Sequence, residues 1–190
     1  MRSLSSKKLA IYLLMGSINA HANILEISGK IKHPTCQVKV NNINQSPIIT
    51  LPTINIGQLK NEGDSAGETT FEITLYDCLR SMTLEQHWDV RFSPWGIDKN
   101  RDLLIPGFIP TMSGTVEGIG LQILDSPSGT PLDNEFIGGM LIGYQAKNAI
   151  KIPPGESEGS HNFVVRYLSI SNNPLPGKLT SYLQYAVTYF

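Results

Sequence analysis

Apolar side chains recur at every second position in four separate stretches of this chain, and that alternation constrains its fold more than any other feature. Phe71, Ile73 and Leu75 alternate with Glu72, Thr74 and Tyr76. Trp88, Val90 and Phe92 alternate with His87, Asp89 and Arg91. Ile119, Leu121 and Ile123 alternate with Gly118, Gly120 and Gln122, and Phe163, Val165 and Tyr167 with Val164 and Arg166. Successive side chains of a strand point to opposite faces, so each stretch predicts a strand with one face on a core. Ile27–Ile31, Gln37–Val40 and Ile48–Leu51 are weaker strand candidates.

Turn formers separate these stretches: Asn41-Asn42, Gly63-Asp64, Asp98-Lys99-Asn100, Ser126-Pro127-Ser128-Gly129, Pro153-Pro154-Gly155 and Asn172-Asn173-Pro174. Beyond the N-terminus nothing carries a helical stripe over three turns. Many short strands joined by turns predict an all-β fold, an antiparallel sandwich of immunoglobulin-like type. With no repeat, low-complexity tract or linker, residues 23–190 read as one domain.

The first 22 residues read differently. Arg2, Lys7 and Lys8 precede the short apolar run Leu9–Met15, and Ala20-His21-Ala22 forms a small-x-small cleavage site before Asn23. This is the pattern of a secretory signal; the run is well short of the roughly 20 residues that span a bilayer. Cleavage between Ala22 and Asn23 removes three of the 15 basic residues and none of the 16 acidic ones. The mature chain is therefore mildly acidic, and with no basic excess nucleic acid is not an expected partner. Export also bears on Cys36 and Cys78, the only cysteines. In an oxidising compartment two lone cysteines predict one disulfide, here a staple across the sandwich; two buried free thiols are the alternative. No metal or cofactor is expected, since two cysteines with the scattered His33, His87 and His161 lack zinc-ligand spacing.

The C-terminal stretch Ser181–Phe190 continues the alternation to the last residue. Leu183, Tyr185, Val187 and Tyr189 lie on one face, and Tyr182, Gln184, Ala186, Thr188 and Phe190 on the other. Such a strand either sits inside a sheet or offers a free edge to another strand.

Taken in order, these residues resemble the pilin subunits of chaperone–usher fimbriae of Gram-negative bacteria. Ile27-Ser28-Gly29-Lys30-Ile31 before Pro34-Thr35-Cys36 is similar to the first pilin strand and first cysteine. Ile54-Asn55-Ile56-Gly57, then Gly67, then Phe71–Cys78 resembles the approach to the second cysteine. Gly118–Asp125 resembles a central strand, and Gly177 with the penultimate Tyr189 resembles the C-terminal assembly motif. The resemblance implies an incomplete sandwich that lacks its final strand and is completed by a donor strand. It implies a periplasmic chaperone, an outer-membrane usher and neighbouring fimbrial subunits as partners. Gly177, Leu183, Tyr185, Val187 and Tyr189 would then form the chaperone and donor-strand groove. Donor tails of pilins precede the first strand, but after cleavage only the four residues Asn23-Ile24-Leu25-Glu26 precede Ile27 here, about 13 Å of extended chain. That predicts a subunit better suited to receive a strand than to give one, as at a fimbrial tip or adaptor.

Two other classes compete with this reading. A catalytic one finds little support: the serines and histidines are scattered along the mature chain, there is no phosphate-cradling glycine loop, and Glu85 with His87 is a common surface pairing. A single-domain adhesin would bind a host receptor, a glycan or a protein, through its own loops. Trp88 and Trp95 are its aromatic candidates, but Trp88 shares a face with Val90 and Phe92 and so reads as core. Trp95, between Pro94 and Gly96, reads as a turn residue of undecided exposure.

Overall fold

The computed structural model describes residues 36–96, 105–137 and 140–189. The predicted signal, the Ala22–Asn23 cleavage site, the short tail and the Ile27–Ile31 strand lie outside the described residues, as does Phe190. Eleven strands follow one another among the described residues: β1 (Gln37–Val40), β2 (Ser65–Tyr76), β3 (Gln86–Pro94), β4 (Phe108–Ile109), β5 (Ser113–Gly114), β6 (Ile119–Leu124), β7 (Asn134–Ile137), β8 (Met140–Ile152), β9 (Gly159–Ser169), β10 (Leu179–Thr180) and β11 (Leu183–Tyr189). A single 3₁₀ turn, Ile56–Gln58, interrupts them, capped by the Asn55 side chain accepting from the Gly57 N–H at 2.8 Å.

The strands form two antiparallel sheets, ordered β1-β2-β9-β6-β4 and β11-β3-β8-β7, with a short β10-β5 ribbon beside them. All four alternating stretches are strands, in β2, β3, β6 and β9. Their apolar faces meet in one core. Phe71 stacks on Phe163 at 5.7 Å between centroids, and Phe92 of the other sheet meets Phe163 edge-on at 5.0 Å. Each such pair adds about 0.5–1.5 kcal/mol beyond its buried area. Ile73, Ile123, Val90 and Ile150 fill the space around them without exposure to solvent. The turn signals act as expected where they can be followed. Asn41 and Asn42 both take positive φ, 47° and 64°, and Val40 and Ile43 exchange both backbone hydrogen bonds across them. That is the primed two-residue turn Asn favours.

Three expectations need correction. Ile48–Leu51 is not a strand. Proline at 47 and 52 brackets the segment and removes two ladder donors, Ile48 is 84% exposed, and only Ile49 and Leu51 pack on the core. Cys36 and Cys78 are joined, but not across the sandwich. Gln37 pairs with Tyr76 on adjacent strands of one sheet, so the disulfide clamps the end of the β1–β2 pair. One buried face per strand also understates the packing: Gln122, Leu124, Val164 and Leu168, on the outward faces of β6 and β9, are buried too. Phe108 helps cover that side, lying so close to Gly120 that a β-carbon there would sit 2.3 Å from its ring. Gln122 is satisfied by Arg166, which donates at 2.8 and 3.1 Å, and by donating to the Pro106 carbonyl at 3.0 Å.

Candidate functional site

The C-terminal strand is placed by the segment before it. Gly177 sits where a β-carbon would come within 2.5 Å of the Thr115 carbonyl carbon and the Val116 nitrogen, both backbone atoms that cannot turn aside. Its value is therefore close approach, not a positive φ. The approach lets Thr115 N–H donate to the Lys178 carbonyl at 2.8 Å and Met112 N–H to the Thr180 carbonyl at 2.9 Å. Ser181 Oγ then donates to the Pro110 carbonyl at 2.8 Å, and Trp95 N–H to the Tyr182 carbonyl at 3.2 Å. These bonds deliver the chain into β11 in register with β3, Leu183 opposite Pro94 through Tyr189 opposite Trp88.

β11 is an edge. Among the described residues it pairs with β3 alone. Leu183, Tyr185 and Val187 turn inward and pack, half-buried, against the core. Beside them lies a cleft of about 860 Å³. Leu183 and Tyr185 form one wall, Ile48, Ile49 and Leu51 contribute to the other, and Ile73, Ile109, Leu121, Ile123 and Val165 form the floor. The segment expected to be a strand is thus the rim of an apolar trough that reaches core residues of both sheets.

The five predicted groove residues are not all brought together. Leu183 and Tyr185 line the cleft; Val187 lies beyond it, opposite the fully buried Val90. Tyr189 is 59% exposed and packs its ring at a tilt against Trp88, with centroids 5.0 Å apart. Gly177 is outside the cleft and acts on the strand's approach. Sequence reasoning missed Ile49 and Leu51 as rim residues; an apolar segment between two prolines was the available signal. Trp88 is half-buried against the core, and Trp95 is 53% exposed. Glu85 and His87 form a surface pair at 3.3 Å, each more than two-fifths exposed.

A model of the fimbrial protein family matches residues 25–189. The chain belongs to the fimbrial protein family. Membership makes it a fimbrial subunit with a structural role, and it is this membership that sets the catalytic reading aside. Over 64 residues the fimbrial chain is 39% identical to Fimbrial protein FimX of Bordetella pertussis, a match spanning 33% of this chain and 32% of that relative. The matched stretch is thus about a third of the relative's length. Among solved structures it is similar to the CupB6 tip adhesin from Pseudomonas aeruginosa, with a TM-score of 0.57 and 14% identity over 81% of this chain and 38% of that one. It is also similar to the P pilus rod subunit PapA, with a TM-score of 0.52 and 10% identity over 81% and 99% of the two chains. At such identities the likeness speaks for the fold, an immunoglobulin-like β-sandwich.

Proposed function

We propose that this fimbrial subunit is incomplete on its own and is assembled by receiving a strand from another protein alongside β11. The observation that carries this is the apolar cleft between β11 and the 48–51 segment, opening onto the core beside a strand edge with no described partner. An added strand would pair with the free backbone groups of β11 and seat alternate side chains in the cleft. In the periplasm the strand would come from a chaperone, and at the outer-membrane usher from a neighbouring subunit. If the signal is cleaved at the predicted Ala22–Asn23 bond, the stretch before Ile27 supports a tip or adaptor position, because it is too short to fill such a cleft in a neighbour. The test is to express the chain for export alone, with a pilus chaperone, and with a donor peptide fused after Phe190. The two complemented forms should accumulate as soluble protein with a raised unfolding temperature. Equal yield and equal unfolding temperature in all three would reject the reading.

A further inference from the structure

A second cleft, of about 610 Å³, shares no lining residue with the first and lies between β7, β8 and the Asp125–Asp133 connection. Its chemistry is opposite to that of the first. Asn134, Gln145 and Asn148 line it with amides, and Asp133 and Glu135 with carboxylates. Phe136 lies in the same lining and is 49% exposed, an aromatic ring with no core to fill.

Several of these groups are braced from behind. Arg91 donates to both oxygens of Glu135, at 2.6 and 2.7 Å. Asp89, only 4% exposed, accepts from Gln145 Nε2 at 2.6 Å and from the Asn148 N–H at 2.7 Å. The second bond holds Asn148 at a positive φ of 52°, in the irregularity where β8 slips against β3. His161 hydrogen-bonds the Asp125 carbonyl and packs edge-on to Phe163 at 4.7 Å. Polar groups held in this way lose little freedom when a ligand binds, so their hydrogen bonds are not offset by ordering.

We propose that this cleft binds a neutral saccharide residue. Amide and carboxylate side chains offer paired donors and acceptors that suit vicinal hydroxyls. An exposed ring beside them suits the apolar face of a hexose, and a few fixed polar groups with one aromatic surface are the usual make-up of a small-ligand site. Charge sets the class. Asp125 and Asp133 outnumber Lys147 in the lining, and Glu135 is already balanced by Arg91. A sulfated or carboxylated sugar would therefore meet repulsion. The site is separate from the cleft beside β11, so a subunit could hold a strand and a sugar together, and the inference does not depend on strand reception.

The experiment uses the full chain, exported and purified from periplasm with whatever protein accompanies it. Saturation-transfer NMR is run with lactose, methyl mannoside, methyl glucoside and N-acetylglucosamine, and with sialyllactose as the acidic counterpart of lactose. At least one neutral sugar should bind, and sialyllactose should bind no more tightly than lactose. Phe136→Ala should weaken binding by about tenfold or more. Asn148→Gly, which keeps the left-handed backbone and removes only the amide, should weaken it as well. Both positions are exposed, so the unfolding temperature should not move, and this separates lost binding from lost fold. Failure of every neutral sugar to bind overturns the proposal. So does tighter binding of sialyllactose than of lactose, or undiminished binding by both variants.

Discussion

Placing a carboxylate at Leu183 tests the apolar cleft at its wall. Leu183 faces inward on β11 and is half-buried, so part of its side chain remains to be covered by an added strand. Full burial of a leucine is worth about 1.5–3 kcal/mol, and the portion still exposed accounts for about 1 kcal/mol of that. Leu183→Asp forfeits this and places a carboxylate where the incoming strand would strip its water, a penalty of several kcal/mol. A combined loss of about 3 kcal/mol or more lowers strand affinity by at least a hundredfold. Gln184→Asp carries the same charge one residue on, at an exposed position on the opposite face, and should change affinity by less than about threefold, the scale of an exposed charge. The assay is recovery of co-expressed chaperone with the subunit from periplasm, normalised to subunit level, backed by titration with a donor peptide. Equal recovery of Leu183→Asp and Gln184→Asp would show that the inward face of β11 does not receive the strand.

Three further outcomes follow from the packing. Cys36→Ser should destabilise the strand-complemented subunit by about 4 kcal/mol, the chain-entropy value for a crosslink spanning 42 residues, read as a shift in urea midpoint; an unchanged midpoint would contradict this. Gly177→Val forces a side chain against the Thr115–Val116 backbone and should cost about 1–3 kcal/mol, with a lowered unfolding temperature. Tyr167 is held above its usual pKa of 10.0 by burial, so the folded state keeps its proton more tightly than the unfolded chain. Stability is therefore intact below pH 10.0 and declines as pH rises past it. Tyr167→Phe should remove part of that decline, measured by thermal unfolding at rising pH.

What could be read from the sequence was what obeys strict alternation. β2, β3, β6 and β9 each keep one apolar phase over their central residues, and the phase alone marks them as strands. β8 was not legible, although it is the longest strand at 13 residues. Gly143 interrupts its pattern. Asn148 adopts a positive φ in an irregularity where Trp88 pairs with Ile150 but Val90 pairs with Ala146, so extra residues on β8 carry no alternation. Asp89, the buried carboxylate that holds this irregularity, looked like an outward polar residue because its partners come from a strand that could not be seen. The reverse error at Ile48–Leu51 has a similar cause. Apolar character there serves the rim of a cleft, and nothing in one sequence separates a rim from a ladder. Of the residues the resemblance assigns to a groove, Leu183 and Tyr185 share the inward phase of β11 and line the cleft. That Val187 and Tyr189 lie past the cleft depends on where the 48–51 segment crosses, which is a tertiary fact.

The account rests on an unfilled edge at β11, and amide hydrogen exchange on Leu183–Tyr189 tests it most directly. In an antiparallel pair, alternate amides of an edge strand point away from its partner. In subunit without an added strand, the amides of β11 that point away from β3 should exchange rapidly while their neighbours are protected. Addition of a donor peptide should protect both sets. Uniform protection of β11 before any strand is added, unchanged by the peptide, would mean that the sheet is already complete.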